Sequence, residues 1–385
     1  MSADHHVDEG TPPVVIDNGS FRCKAGFAGD DYPKYIFPSQ IGRPNDTESD
    51  SIAAVDVRDT FVGEQIQKKR DVLSITCPIE RGIITNWDDM EKIWQHVFQE
   101  ELHVESENHP VLLSDVPLNP KTHREKMCEV MFETFKTPMF SVSLGGVLGI
   151  YALGRVSSII LDVGHEVSHV LAIYESYTFK NAIDKLNFGG KDLTDYMLEM
   201  LNSKSGTSFT SNSEKETVRE IKEKLCYTAI DFEKEMERSN SESDAIERTY
   251  KLPDGSKITV GSERFHCPEA LFQPHLFKKD FPGLHKFFHS SLMKCDVDAR
   301  PDLMCNMILC GGCTMFPGVK ERMQKEMVDL ISKDKRVRVI APPERTFSVW
   351  IGGSILAALS YFGTKAVSKK EYEENGPGIV HSKCF

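Results

Sequence analysis

The sequence predicts an α/β protein built of two duplicated halves, and three observations carry that reading. Pro13–Phe27, "PVVIDNGSFRCKAGF", and Ser158–Tyr174, "SIILDVGHEVSHVLAIY", share one order of residues. Each has an apolar run, an aspartate, a turn with glycine and a second strand-like stretch, which together read as a β-hairpin. Short apolar runs alternate with amphipathic helices, the pattern of sheets covered by helices. A third glycine turn, "MILCGGCTMFPG" (Met307–Gly318), passes from an apolar strand into a helix start.

Taken in order, the first hairpin is predicted to turn at Asn18-Gly19, a strong hairpin dipeptide. Polar residues from Asn45 to Arg58 predict a mobile loop. In "NWDDMEKIWQHVFQEEL", Met90, Ile93, Trp94, Val97 and Phe98 share one helical face. Asn86 is its expected N-cap, and Asp88 and Asp89 suit the positive end of the helix dipole. "HPVLLSD" and "RVRVIAP" read as strands, while "KTHREKMCEVMFETF" and "GVKERMQKEMVDLIS" read as helices. "SEKETVREIKEKLCYTAIDFEKEMER" predicts a charged helix or helix pair starting after Ser213, followed by a second loop at Ser239–Asp244.

Composition excludes several classes. The 385 residues are 40% hydrophobic and 27% charged, as in a soluble globular chain with room for more than one domain. A net charge of −12 argues against nonspecific nucleic-acid binding, which needs a basic surface. No apolar run reaches the roughly 18 residues of a membrane span. The first residues lack the basic and apolar stretches of a signal peptide, so the ten cysteines are expected to be reduced and the location cytosolic or nuclear. Cys310 and Cys313 are spaced as C-x-x-C. No second such pair supplies further zinc ligands, and they read as two thiols lining a glycine turn.

Two aspartate hairpins and a Gly-Gly strand-to-helix turn form a phosphate-binding constellation, because glycine lets backbone approach a ligand and helix starts favour anions. Longer stretches make the pattern specific: "CKAGFAGDD", "ITNWDDMEKIW", "PLNPK", "DLTDY", "IKEKLCY", "CPEALFQP", "MKCDVD", "APPER", "SVWIGGSILA" and "GPGIVHSKCF". Over nearly its whole length the chain resembles the actin family. The resemblance implies an actin-like two-lobed fold around a nucleotide cleft. It divides the chain into subdomains at 1–38 with 78–152 and 348–385; at 39–77, carrying loop 45–58; at 153–189 with 280–347; and at 190–279. It also implies ATP or ADP with Mg²⁺ or Ca²⁺, and head-to-tail filament assembly.

Carried over by position, Asp17 and Asp162 correspond to carboxylates that hold a hydrated metal ion through water. Ser20, Phe21 and Lys24 fall in the first phosphate hairpin, and Gly164, His165 and Glu166 in the second. Gly190, Asp192, Lys222, Glu223, Gly311, Gly312, Met315 and Phe316 match the base and ribose side. His169 matches a residue that contacts water. Departures gather at the phosphate end: Phe21 replaces a glycine, and His165 and Glu166 replace an aspartate and a glycine. Thr346 replaces a lysine. Gly145 occupies the position of the water-orienting glutamine, and a glycine has no side chain with which to position a nucleophile. Glu166 sets a carboxylate near phosphate, a like-charge pair that opposes binding.

At the surface, Asp46, Glu48, Asp50 and Asp56 oppose burial of the 45–58 loop on a neighbouring subunit. Tyr151, Tyr177, Leu356 and Leu359 match the apolar lining of a cleft that takes actin-binding proteins, with Tyr361 and Lys365 altering it. Arg81 replaces a histidine that is often methylated. The expected function is an actin-like structural subunit of the cytoplasm and cytoskeleton. It binds nucleotide with impaired or absent hydrolysis, and it acts in or on filaments of itself or actin. Two alternatives stand beside it: a conventional filament-forming ATPase in which His165 or His169 positions water, and a nuclear actin-related subunit of a chromatin complex.

Overall fold

A computed structural model describes residues 11–44, 60–70, 72–205 and 209–384; the predicted loop 45–58 lies outside the described residues. The chain divides into two units. One runs to Val156 and resumes at Phe347; the other is Ser157–Thr346.

In the first unit, Val14–Asn18 pairs antiparallel with Arg22–Phe27 and parallel with Val111–Asp115. That strand continues parallel to Met139–Leu144, and Tyr35–Pro38 and Val367–Ser368 close the two edges of a six-stranded sheet. Residues 14–17 and Val111–Asp115 at its centre are buried throughout, because helices cover both faces. Alternation along the strands sorts the side chains. Val14, Ile16, Val111 and Leu113 pack with Met90, Trp94 and Met131, whereas Val15 and Leu112 pack with Leu148 and Trp350 on the other face. On that second face the Gly145–Tyr151 and Ser348–Ala358 helices meet backbone to backbone. A Cβ on Gly352 would lie 1.7 Å from Leu148 O, so only glycine serves there.

The second unit repeats the theme. Ser158–Val163 pairs antiparallel with Ser168–Tyr174 and parallel with Met307–Cys310, which in turn pairs parallel with Val339–Ile340. Its core joins Ile159, Leu161 and Val170 to Leu193, Met197, Ile221 and Phe288.

Helix ends follow local chemistry. Asn86 caps the Trp87–His96 helix by accepting from Asp89 N at 3.1 Å. The predicted charged helix is a pair, Asn212–Leu225 and Phe232–Ser241. The first of these begins earlier than expected, because Ser211 and Glu214 form a capping box (Glu214 N to Ser211 Oγ 3.2 Å, Ser211 N to Glu214 Oε2 2.8 Å). Ser239–Asp244 is not a loop. The helix runs on to Ser241 and a short turn of helix, Ser243–Ile246, follows. The first hairpin also departs from a two-residue turn: Asn18 stays in register opposite Cys23, and Gly19–Phe21 make the turn.

Candidate functional site

The first hairpin places Asp17 directly across from Lys24, and Lys24 Nζ donates to Asp17 Oδ2 at 2.6 Å. Ser114, on the parallel neighbour strand, donates to Asp17 Oδ1 at 2.7 Å and accepts Asn18 N at 2.9 Å. Both carboxylate oxygens are thus oriented before any ligand arrives. The turn is pinned from behind: Ser39 Oγ donates to Gly19 O at 2.6 Å, Ser39 N donates to Phe21 O at 3.0 Å, and Trp94 Nε1 donates to Asn18 Oδ1 at 3.0 Å. Ser20 is half-buried in this turn, and the Phe21 ring lies under the Arg22 guanidinium, 5.3 Å from its centroid. Gly145 is the first residue of the Gly145–Tyr151 helix and is buried. Its nearest neighbours to an added Cβ would be Val349, at 3.5 and 3.6 Å, and Asp115 O at 3.7 Å.

In the second unit, Asp162 faces His169 across the hairpin, with Nε2 3.4 Å from Asp162 Oδ2. His169 is buried, which lowers its pKa against the pull of Asp162. Neither of its ring nitrogens makes an oriented hydrogen bond among the described residues. A buried imidazole in that condition suits a bound water or ligand atom.

The turn itself is docked on the start of the Gly190–Ser205 helix. Gly190 N donates to Gly164 O at 3.0 Å and Lys191 N donates to His165 O at 2.8 Å. A Cβ on Gly189 would come within 2.6 Å of His165 O, so the close approach requires glycine. The Cys313 thiol adds a third tie, donating to Gly164 O at 3.2 Å. Around Gly190 gather Cys313 Sγ, Lys222 Nζ and His165 Nδ1, at 2.7, 3.6 and 3.7 Å from where its Cβ would stand. Burial, aided by the Lys222 ammonium, pushes the His165 pKa down to about 4, so the imidazole is neutral at pH 7. Lys222 is buried and donates to Gly190 O at 2.7 Å and Thr194 Oγ1 at 2.8 Å.

Glu166 is not the uncompensated charge the sequence suggested. Its Oε1 lies 3.1 Å from Lys191 Nζ, which offsets the repulsion expected toward an anion. Gly311 has φ 87°, and a Cβ there would sit 2.4 Å from Asp162 Oδ1; Gly312, next to it, faces open space. The glycine turn and the Asp162 carboxylate are therefore packed together, with room kept beside them. Asp192 accepts from Gly189 N at 3.1 Å and pairs with Lys279 at 3.0 Å.

Not every predicted residue joins this cluster. Glu223 pairs with Arg219 at 2.7 Å, Phe316 belongs to the apolar core, and Met315 is exposed. Ser114, Gly189, Lys191 and Thr194 are contributors that sequence reasoning missed, while Cys313 was read only as a thiol lining the third glycine turn.

Among the described residues no group of three or more His, Cys, Asp or Glu side chains could hold a metal ion. Carboxylates such as those of Asp17 and Asp162 can orient the waters of a hard hydrated cation without ligating it directly. Of the predicted cleft residues, Tyr177 and Leu359 are exposed and Tyr151 and Leu356 half-buried. Arg81 takes a left-handed conformation (φ 50°) in the turn between Ile79–Glu80 and Ile83–Ile84. No helix among the described residues is long and apolar enough to cross a membrane. In comparison with known proteins, the family model described as Actin matches residues 8–385.

Proposed function

The chain belongs to the actin family, and on that premise we propose that it is a nucleotide-binding cytoskeletal protein in which ATP hydrolysis is impaired or absent. Actins generally bind ATP or ADP with a divalent cation and associate with themselves or with actin-binding partners. The observation that carries the finer reading is Gly145. It stands at the start of its helix, where the resemblance puts the residue that orients the attacking water, and it offers neither donor nor acceptor from a side chain. Asp17 and Asp162 would orient waters around the cation. Lys24, Gly164, Gly190, Gly311 and Gly312 would accommodate the nucleotide, and neutral His165 would add no charge toward phosphate. ATP, when bound, brings the anionic phosphates that these turns are shaped to approach. We place the protein in or on filaments of itself or actin, in the cytoplasm, with each unit divided into a larger and a smaller subdomain.

A test is to purify the protein in MgATP, remove free nucleotide, denature it and identify what is released. ATP in near-stoichiometric yield supports the reading; ADP overturns it.

One observation favours a second reading, a filament-forming ATPase. The His169 ring nitrogens are buried and make no hydrogen bond among the described residues, so His169 could hold a water in place of the missing glutamine. Release of inorganic phosphate on polymerisation, abolished by His169→Ala, would select it.

A further inference from the structure

We propose that Cys226 and Cys267 form an oxidisable dithiol within the second unit, converted to an intramolecular disulfide by an oxidant of the peroxide class. Hydrogen bonds place the two side by side. Tyr227 N donates to Arg264 O at 3.0 Å, and Arg264 Nε donates to Leu225 O at 2.9 Å. The residues on either side of Cys226 are thus held against one turn of the Glu263–Glu269 helix. Cys267 lies three residues beyond Arg264 on that helix, and so on the same face. Both are free cysteines buried in one apolar cluster.

The pair also reaches the first turn of the Gly190–Ser205 helix. Cys267 Sγ–H donates to Leu193 O at 3.3 Å. Cys226 N donates to Lys222 O at 3.2 Å, one turn from the ammonium that holds Gly190 O. Disulfide formation takes the S–H donor away from Leu193 O, so oxidation is felt on the helix that carries Gly190 and Asp192.

The chemistry balances in two steps. One thiol takes an oxygen from hydrogen peroxide, giving a sulfenic acid and water. The second thiol's sulfur then displaces the hydroxyl, which leaves with that thiol's proton as a second water, and the S–S bond closes. Both thiols are buried and burial holds the Cys226 proton on, so reaction requires local opening and is slow.

The experiment treats the purified full chain with hydrogen peroxide, alkylates remaining thiols, and reads intact mass and non-reduced peptide maps. Exposed Cys77 is the internal control that the oxidant has acted. The expected product leaves Cys226 and Cys267 unalkylated, links their two peptides at the summed mass of the pair less two hydrogens, and reverts with dithiothreitol. Cys226→Ser and Cys267→Ser each abolish the link, while Cys313→Ser keeps it. Oxidised Cys77 beside fully alkylated Cys226 and Cys267 overturns the proposal, as does a disulfide joining either one to Cys313. Because wild-type mapping alone decides, a variant that fails to fold does not rescue the proposal.

Discussion

Glutamine at position 145 should restore hydrolysis without disturbing the fold. A Cβ added to Gly145 meets nothing closer than 3.5 Å, and Gly145 is outside the left-handed region, so ordinary side chains fit its backbone. Replacing a helical glycine in an allowed conformation removes unfolded-state freedom, worth about 0.4–1 kcal/mol. Gly145→Ala is therefore expected to unfold at the same temperature as the parent or slightly above it, and the backbone does not prevent Gly145→Gln from folding. Its catalytic gain comes from orienting the attacking water, for which one well-placed hydrogen-bonding group supplies about 10²-fold, or ~2.7 kcal/mol of barrier. The assay is single-turnover phosphate release from protein loaded with MgATP, read beside thermal unfolding. Folded, nucleotide-loaded variant that releases phosphate no faster than the parent refutes the assignment of the defect to this position. Rapid release from the parent itself refutes the larger claim.

Three further outcomes follow from the site. Gly311→Ala combines a φ of 87° with a Cβ 2.4 Å from Asp162 Oδ1, and should cost about 2–4 kcal/mol in urea unfolding. Ser114→Ala leaves Asn18 N and Asp17 Oδ1 each short of a partner; a loss of about 1–3 kcal/mol and a weaker dependence of nucleotide retention on Mg²⁺ are expected by denaturation and nucleotide-release assays. The His165 pKa, pushed down from 6.5 to about 4, makes stability pH-dependent. The unfolded chain takes up this proton first, so the stabilisation is full above the ordinary histidine range, declines as pH falls through 6.5 and levels off near 4. That difference amounts to about 3 kcal/mol, and His165→Gln should flatten this part of the stability-versus-pH curve.

Legibility in the sequence tracked how local each signal was. The duplicated hairpins were readable because apolar run, aspartate and glycine lie within a dozen or so residues, and the Asn86 cap and its buried face repeat at helical spacing. Ser114 was not readable as an Asp17 partner, since only parallel strand pairing joins residues so far apart. The same holds for Glu166, whose charge looked hostile until Lys191 came alongside it through the docking of turn on helix. Ser239–Asp244 misled because its polar residues match both loops and solvent-facing helix. Nor was it legible that Phe316, one residue beyond exposed Met315, turns inward to the core, since only the fold sets that.

The division of the chain sets an order of events during synthesis. The Ser157–Thr346 unit is contiguous and can close as soon as it has emerged. The first unit cannot. Its Val15 and Leu112 face is covered by Trp350, whose Nε1 donates to Val15 O at 3.0 Å, and Ser354 ties down Gly29 N and Asp30 O. At ribosomal speeds the intervening unit takes on the order of 10–40 s to make. For that interval a nearly complete sheet waits with one oily side only partly covered, by Leu148 and its helix, and the nascent protein depends on whatever shields the rest until Trp350 arrives.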